Sequence, residues 1–196
     1  ENSIANLQIR LPIVVIGGGL TAIDTATESL AYYPVQVEKF LARYEALVAE
    51  RGEKTARASW CEEESIIAEE FLAHARAIRE ERKKAKPDIT ALLNSWGGVK
   101  LIYRKRLVDA PSYRLNHEEV EKALEEGIFF VENYEPVGVE LDHFGAVKAL
   151  QLKSSLRAER SNPELDRHVA SAPRDDEMTL PAKTVLIAAG TNPNSV

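Results

Sequence analysis

The chain has 196 residues and a formal net charge of −6 at pH 7, with 44% apolar and 29% charged residues. That length and mix suit one soluble globular domain, or one domain with an attachment. The acidic balance, with a pI near 5.4, argues against a general nucleic-acid-binding surface. No apolar run nears the ~18 residues that span a bilayer, and the single cysteine, Cys61, excludes an internal disulfide framework, a CxxC redox pair or a four-cysteine metal site.

The chain begins at Glu1, its only methionine is Met178, and no signal-peptide pattern is present. These features predict an excised or processed piece of a longer protein in a reducing, cytoplasmic setting, with no membrane partner.

Residues 11–16 read Leu-Pro-Ile-Val-Val-Ile, a short β-branched run of the kind buried on both faces of a parallel sheet. The run passes directly into Gly17, Gly18, Gly19, Leu20, Thr21 and Ala22, and then into a helical stretch over 22–33 with Ile23, Ala26 and Leu30 at helical spacing. Strand, G-x-G-x-x-A turn and helix together form a dinucleotide-binding fingerprint. Gly17 permits the tight turn, Gly19 lets a pyrophosphate approach the backbone, and Ala22 lets the helix pack on the strand. The free N–H groups at the helix start then face the phosphates.

The fingerprint calls for a second strand, and in NAD-binding folds an acidic residue about 20 residues on binds the ribose. A direct count reaches 34–38, ending in Glu38. However, Val37, Phe40, Leu41, Tyr44, Leu47 and Val48 follow helical spacing, with Pro34 suited to a first helical turn and Gly52 to an end. A further helix is expected from Trp60 to Lys86, ~40 Å long at ~1.5 Å per residue. Ser59 and Glu62 would form its capping box, and Pro87 would stop it. Asp88 caps a third, short helix ending near Gly97 and Gly98. The second strand is then 99–103, followed by Arg104, Lys105 and Arg106. With basic residues where the acidic one would stand, a 2′-phosphate fits, so the spacing reads as NADP(H) over NAD(H). Residues 34–98 read as a helical insertion, for which a compact ~30-residue unit has no room.

Farther on, Asn116 is suited to cap a helix over 117–126, with Glu119 at its third position and Gly127 past its end. A third parallel strand is expected at 128–131. Segments 137–141 and 146–152 flank Asp-His-Phe-Gly and read as a hairpin, an antiparallel piece attached to the parallel sheet. Residues 154–176 are polar and read as a long loop. A last buried strand is expected at 184–188, before Ala189 and Gly190.

These pieces resemble the NAD(P)H-binding domain of the FAD-dependent pyridine nucleotide-disulfide oxidoreductase superfamily, in particular its glutamate synthase small-subunit branch. The likeness is carried by the run 14–24, by Tyr103-Arg104-Lys105, by residues 118–128 with Phe130, and by 180–194. It covers roughly 11–30 and 99–194, and leaves out the helices between. The resemblance implies a Rossmann-like α/β domain that binds NADPH and positions the nicotinamide for hydride transfer to flavin. It implies that Gly17 through Ala22 hold the pyrophosphate, although Leu20 stands where the branch often has Asn. It also implies that Arg104 with Lys105 or Arg106 takes the 2′-phosphate, that Asp24 lies near the nicotinamide side, and that Ala189 and Gly190 form the turn beside the nicotinamide. FAD would be bound by a separate domain of the same polypeptide, not by this piece alone, so the piece would not be catalytically complete.

No residue is required here as acid or base, so no catalytic residue is assigned. The histidines, His74, His117, His143 and His168, lack metal-ligand spacing, and no phosphate loop of the G-x-x-x-x-G-K-[ST] type occurs. The apolar stripe of the long helix needs a cover, either a second insertion helix, the flavin domain, a second copy or a partner subunit. Two other functions remain open at this point, a non-catalytic NADP(H) sensor and a helical interaction scaffold.

Overall fold

The computed structural model describes residues 8–155 and 177–189. Gly190 and the polar stretch 156–176 lie outside the described residues. Strand β1 (Ile13–Ile16) is central because it is apolar on both sides. Ile13, Val14 and Val15 are fully buried, and successive side chains of a strand point to opposite faces. Ile13 and Val15 join the core under the helices, whereas Val14, with Ile102, packs against Leu150, Leu152 and Leu180 of a second sheet.

The first sheet is parallel, in the order β3-β2-β1-β7, with β2 at Val99–Tyr103, β3 at Phe129–Glu132 and β7 at Thr184–Ile187. Its register pairs Ile13 with both Val99 and Thr184. The second sheet is antiparallel, β4 (Tyr134–Leu141), β5 (Val147–Ser154) and β6 (Glu177–Pro181) in the order β4-β5-β6. The expected hairpin is present, but it belongs to this separate sheet, with β6 as an added strand. Burial of Leu150, Leu152 and Leu180 on the outer side of Val14 and Ile102 holds the two sheets together.

The chain between β1 and β2 is helical: α1 (Leu20–Arg51), α2 (Glu53–Arg57), α3 (Glu62–Glu81) and α4 (Ile89–Ser95). The two helices expected on either side of Pro34 are one continuous helix of 32 residues, ~48 Å long at ~1.5 Å per residue. Proline in a helix interior costs about 3 kcal/mol. The apolar stripe Ile23, Ala26, Leu30, Tyr33, Val37, Leu41, Tyr44 passes through Pro34 without a phase break, and every member is buried. Its packing against the parallel sheet and α3 outweighs the proline. At Gly52 the backbone turns to φ +78°, and the helix ends where expected.

α3 starts two residues later than its sequence pattern predicts. The capping box is formed by Cys61 and Glu64, not Ser59 and Glu62: Glu64 N donates to Cys61 Sγ (3.5 Å) and Cys61 N to Glu64 Oε2 (2.8 Å). Tight turns from Thr55 to Trp60 occupy the preceding residues, and the Trp60 ring lies 5.8 Å from that of Tyr44. α3 also ends at Glu81, short of Lys86, and Arg82 reaches back to Glu38 at 2.9 Å. Asp88 caps α4 as expected, accepting from Ala91 N at 2.8 Å.

Two short elements add to those expected: a 3₁₀ turn at Leu107–Asp109 and α5 (Pro111–Leu115). α6 (His117–Glu125) follows, with Asn116 at its cap position. The Asn116 amide donates to the Glu119 side chain (2.7 Å) instead of accepting from the backbone. Among the described residues, no helix is long and apolar enough to cross a membrane.

Residues 9–11 are fastened between sheet and helices. The Gln36 amide bonds both backbone groups of Ile9 (2.9 and 2.8 Å), and the Thr184 hydroxyl accepts from Arg10 N (2.7 Å) and donates to Arg10 O (2.9 Å). Arg10 makes two bonds to Glu70 on α3 (2.8 and 3.3 Å), and Lys183 adds a third (2.6 Å). Beside them the Tyr33 hydroxyl bonds His74 Nδ1 (2.6 Å), and the His74 ring stacks on Trp96 at 3.7 Å. Burial pushes the Tyr33 phenol well up and the His74 imidazole down. Burial would also raise Glu70, but the hydrogen bonds from Arg10 and Lys183 outweigh it and hold the carboxyl below its ordinary value of 4.5.

A carboxyl depressed in the folded state stabilises the fold above its unfolded pKa, and that contribution is lost as pH falls through the depressed value. Urea unfolding should therefore show the Glu70→Gln variant less stable than wild type at pH 7. Its further loss between about pH 5 and 3 should be smaller than that of wild type. Parallel acid limbs in the two proteins would refute this coupling.

Candidate functional site

The β1–α1 turn is built by close approach. Gly17 N donates to Ile102 O (3.1 Å) and Ala188 N to Ile16 O (2.8 Å), which draws the ends of β1, β2 and β7 together. A Cβ on Gly17 would lie 2.4 Å from the Ala188 carbonyl oxygen and 2.9 Å from Ala22 Cβ. Ala22 is fully buried at this contact. Gly18 lies under the Tyr103 ring, 2.2 Å from where its Cβ would stand, and its carbonyl accepts from Ser112 N on α5 (3.0 Å).

Gly19 differs from both. It is the N-cap of α1 in ordinary extended backbone (φ −92°, ψ 173°), with no side-chain cap, and a Cβ there would meet nothing within 4 Å. Neither conformation nor packing within the described residues requires glycine at this position.

A cleft of about 860 Å³ opens over this turn, at the carboxyl ends of β1, β2 and β7. In an open α/β sheet this crevice, beside the strand where the order reverses, is the usual ligand position. Of the residues singled out from sequence, Gly17, Gly18, Gly19, Thr21, Arg104 and Ala189 line it. Tyr103, Tyr134 and Glu135 also line it. Leu20 and Ala22 belong to the start of α1 behind the lining, and Asp24 is exposed on α1 and lines neither hollow.

A second hollow of about 610 Å³ adjoins the first through Arg104, which lines both. Lys105, Arg106 and Arg114 also line it, as do Asp109, Asn133 and Ser155. The Arg106 guanidinium is held by Asp109 through two bonds (2.8 and 3.2 Å), and these keep the Asp109 carboxyl below its usual range. Arg104, Lys105 and Arg114 are thus the cations of the recess that do not belong to that ion pair.

Arg114 is not among the residues that the sequence pattern singles out. The signal that could have found it is Pro111, a residue suited to the first turn of a helix, which places Arg114 on α5, next to the basic run. Asn133 and Ser155 carried no signal of that kind. Among the described residues, no three His, Cys, Asp or Glu side chains gather in a metal-sized group.

No protein-family model matches the chain. A curated relative from Rickettsia prowazekii (strain Madrid E), described as uncharacterized protein RP006, is 36% identical over 198 residues. The alignment covers all of this chain and 26% of the relative, so the chain spans about a quarter of that protein's length. Among solved structures, a chain of the covalent putidaredoxin reductase–putidaredoxin complex is similar over 91% of this chain and 23% of its own, with a TM-score of 0.38 and 13% identity. The functional reading of the cleft rests on its own residues.

The glycines separate packing from ligand approach. Gly17→Ala forces a side chain into the Ala188 backbone and should cost roughly 1–3 kcal/mol in chemical unfolding, the usual range for overpacking. Gly19→Ala meets no atom within 4 Å and should cost less, about 1 kcal/mol or under, the usual difference between glycine and alanine at a helix N-cap. Similar losses at both positions would contradict the geometry.

Proposed function

We propose that the chain is the NADPH-binding domain of a flavin-dependent pyridine nucleotide oxidoreductase, with residues 34–98 as a helical insertion within it. Gly19 carries the reading. It is a glycine that neither backbone angles nor packing demands, placed where a helix of 32 residues opens, with no side-chain cap, onto a cleft. A backbone free of Cβ at the positive end of a helix suits close approach by a pyrophosphate. The adjoining basic recess suits a further phosphate, which separates NADPH from NADH.

In this assignment the N–H groups of Leu20 and Thr21 at the start of α1 hold the pyrophosphate, while Ala22, whose N–H donates to Gly19 O (3.0 Å), keeps the helix close to β1. Arg104 and Lys105 take the 2′-phosphate, joined by Arg114 from α5. Arg106 organises the loop through Asp109. Thr21 and Ala189 flank the cleft, on the nicotinamide side in the case of Ala189. When bound, the nicotinamide supplies a hydride to a flavin held by another domain of the same polypeptide. The chain's own part is to bind and orient, and no side chain here needs to move a proton.

Calorimetric titration of the 196-residue chain tests the assignment. NADPH should bind more tightly than NADH. Gly19→Ala should weaken both by about tenfold or more while leaving the fold intact. Arg104→Ala should lower the NADPH-over-NADH ratio about tenfold or more, since one hydrogen bond to a charged group is worth about 1.5–3 kcal/mol. Failure of wild type to bind either nucleotide, or binding unmoved by Gly19→Ala, would sink the reading and favour a helical interaction scaffold.

A further inference from the structure

The segment carrying Arg104 and Lys105 has left β2 and is held from outside its own sheet. Its carbonyls and N–H groups are taken up along the seam between the two sheets. Asn133 N donates to Lys105 O (3.2 Å), Leu107 N donates to Glu132 Oε1 (2.5 Å), and the Ser155 hydroxyl donates to Arg104 O. Ser155 N donates in turn to Asn133 O (2.8 Å), so residues 133 and 155 form one connected support. Asn133 stands where the chain passes from the parallel to the antiparallel sheet and adopts φ +62°. Asparagine tolerates this left-handed conformation better than most residues, and such conformations cluster at functional sites. Asn133 and Ser155 both line the basic recess beside Arg104 and Lys105.

We infer that Ser155 is a positioning residue for the phosphate recess: its hydroxyl fixes the Arg104 backbone, and with it the origin of the guanidinium. The inference rests on the reading of the recess as a 2′-phosphate site. A long side chain binds an anion more tightly when less of its freedom remains to be lost, and anchoring its backbone removes part of that freedom. The antiparallel sheet thereby acts on nucleotide selectivity although the binding fingerprint lies wholly in the parallel one. Ser155 is the useful handle because the Asn133 contact is made by backbone atoms, which side-chain replacement leaves in place.

Two probes that differ only by the phosphate in question test this: adenosine 2′,5′-bisphosphate and AMP, titrated into the 196-residue chain. Ser155→Ala should weaken adenosine 2′,5′-bisphosphate about five- to tenfold, the effect of one ordinary hydrogen bond. AMP affinity should stay within about twofold and the thermal midpoint near that of wild type. Ser155→Thr, which keeps the hydroxyl, should restore the preference. Equal weakening of both probes, or of neither, would overturn the positioning role. If wild type prefers the bisphosphate and Arg104→Ala abolishes this while Ser155→Ala does not, only the present inference fails. If wild type shows no preference, the phosphate reading fails and the inference with it.

Discussion

At Gly17 the backbone leaving β1 runs so close to the end of β7 that a Cβ would stand 2.4 Å from the Ala188 oxygen. The rest of the cleft depends on this approach. It brings the start of α1 against β1 and aligns the carboxyl ends of three strands. It also turns the uncapped helix terminus outward, where Gly19 adds no side chain. The three glycines therefore do different work. Gly17 is needed for packing on backbone and on Ala22, Gly18 makes room for the Tyr103 ring, and Gly19 leaves open space. Of the three, Gly19 alone is not demanded by a close contact, and it stands as the N-cap of α1 at the mouth of the cleft.

The sheet that presents the cleft is stable because β1 is covered twice. Helices bury Ile13 and Val15, and the antiparallel sheet buries Val14. That second cover also supports the basic segment. The same strands that shield Val14 and Ile102 end at Asn133 and Ser155, which support the basic segment. The basic recess is consequently a property of the seam between two sheets and of α5, not of β2 alone. On the opposite side of the molecule, Glu70 joins α3 to Arg10 and Lys183, which ties the helices to the lower ends of β1 and β7.

Much of this was legible in the residues. The glycine turn sits where its strand-to-helix setting predicts, and β2 occupies Val99–Tyr103, not the nearer segment ending in Glu38. Gly52, Asp88 and Gly127 mark element ends as their types suggest. The mismatches have particular causes. Pro34 reads as a helix start because a proline without context breaks helices, yet a stripe buried on both sides of it carries α1 through. Ser59 has the spacing of a cap, yet the turns leading to Trp60 move the cap to Cys61. β6 alternates Met178 and Leu180 with polar neighbours, but it is short, ends in Pro181 and adjoins a polar stretch, so its identity comes from its pairing with β5.

By itself, then, the sequence determined the features whose physics is local: apolar periodicity, glycine where a Cβ has no room, and end-marking residues. These specify a strand–turn–helix fingerprint, a parallel α/β core and a basic run at the end of the second strand. Tertiary structure alone decided that α1 is continuous, that the hairpin joins a separate sheet, and that Arg114, Asn133 and Ser155 meet Arg104 and Lys105 around one hollow. Those outcomes arise from contacts between residues far apart in the chain. Their free energy comes from burial and hydrogen bonding across elements, and no local period or short spacing carries a record of it.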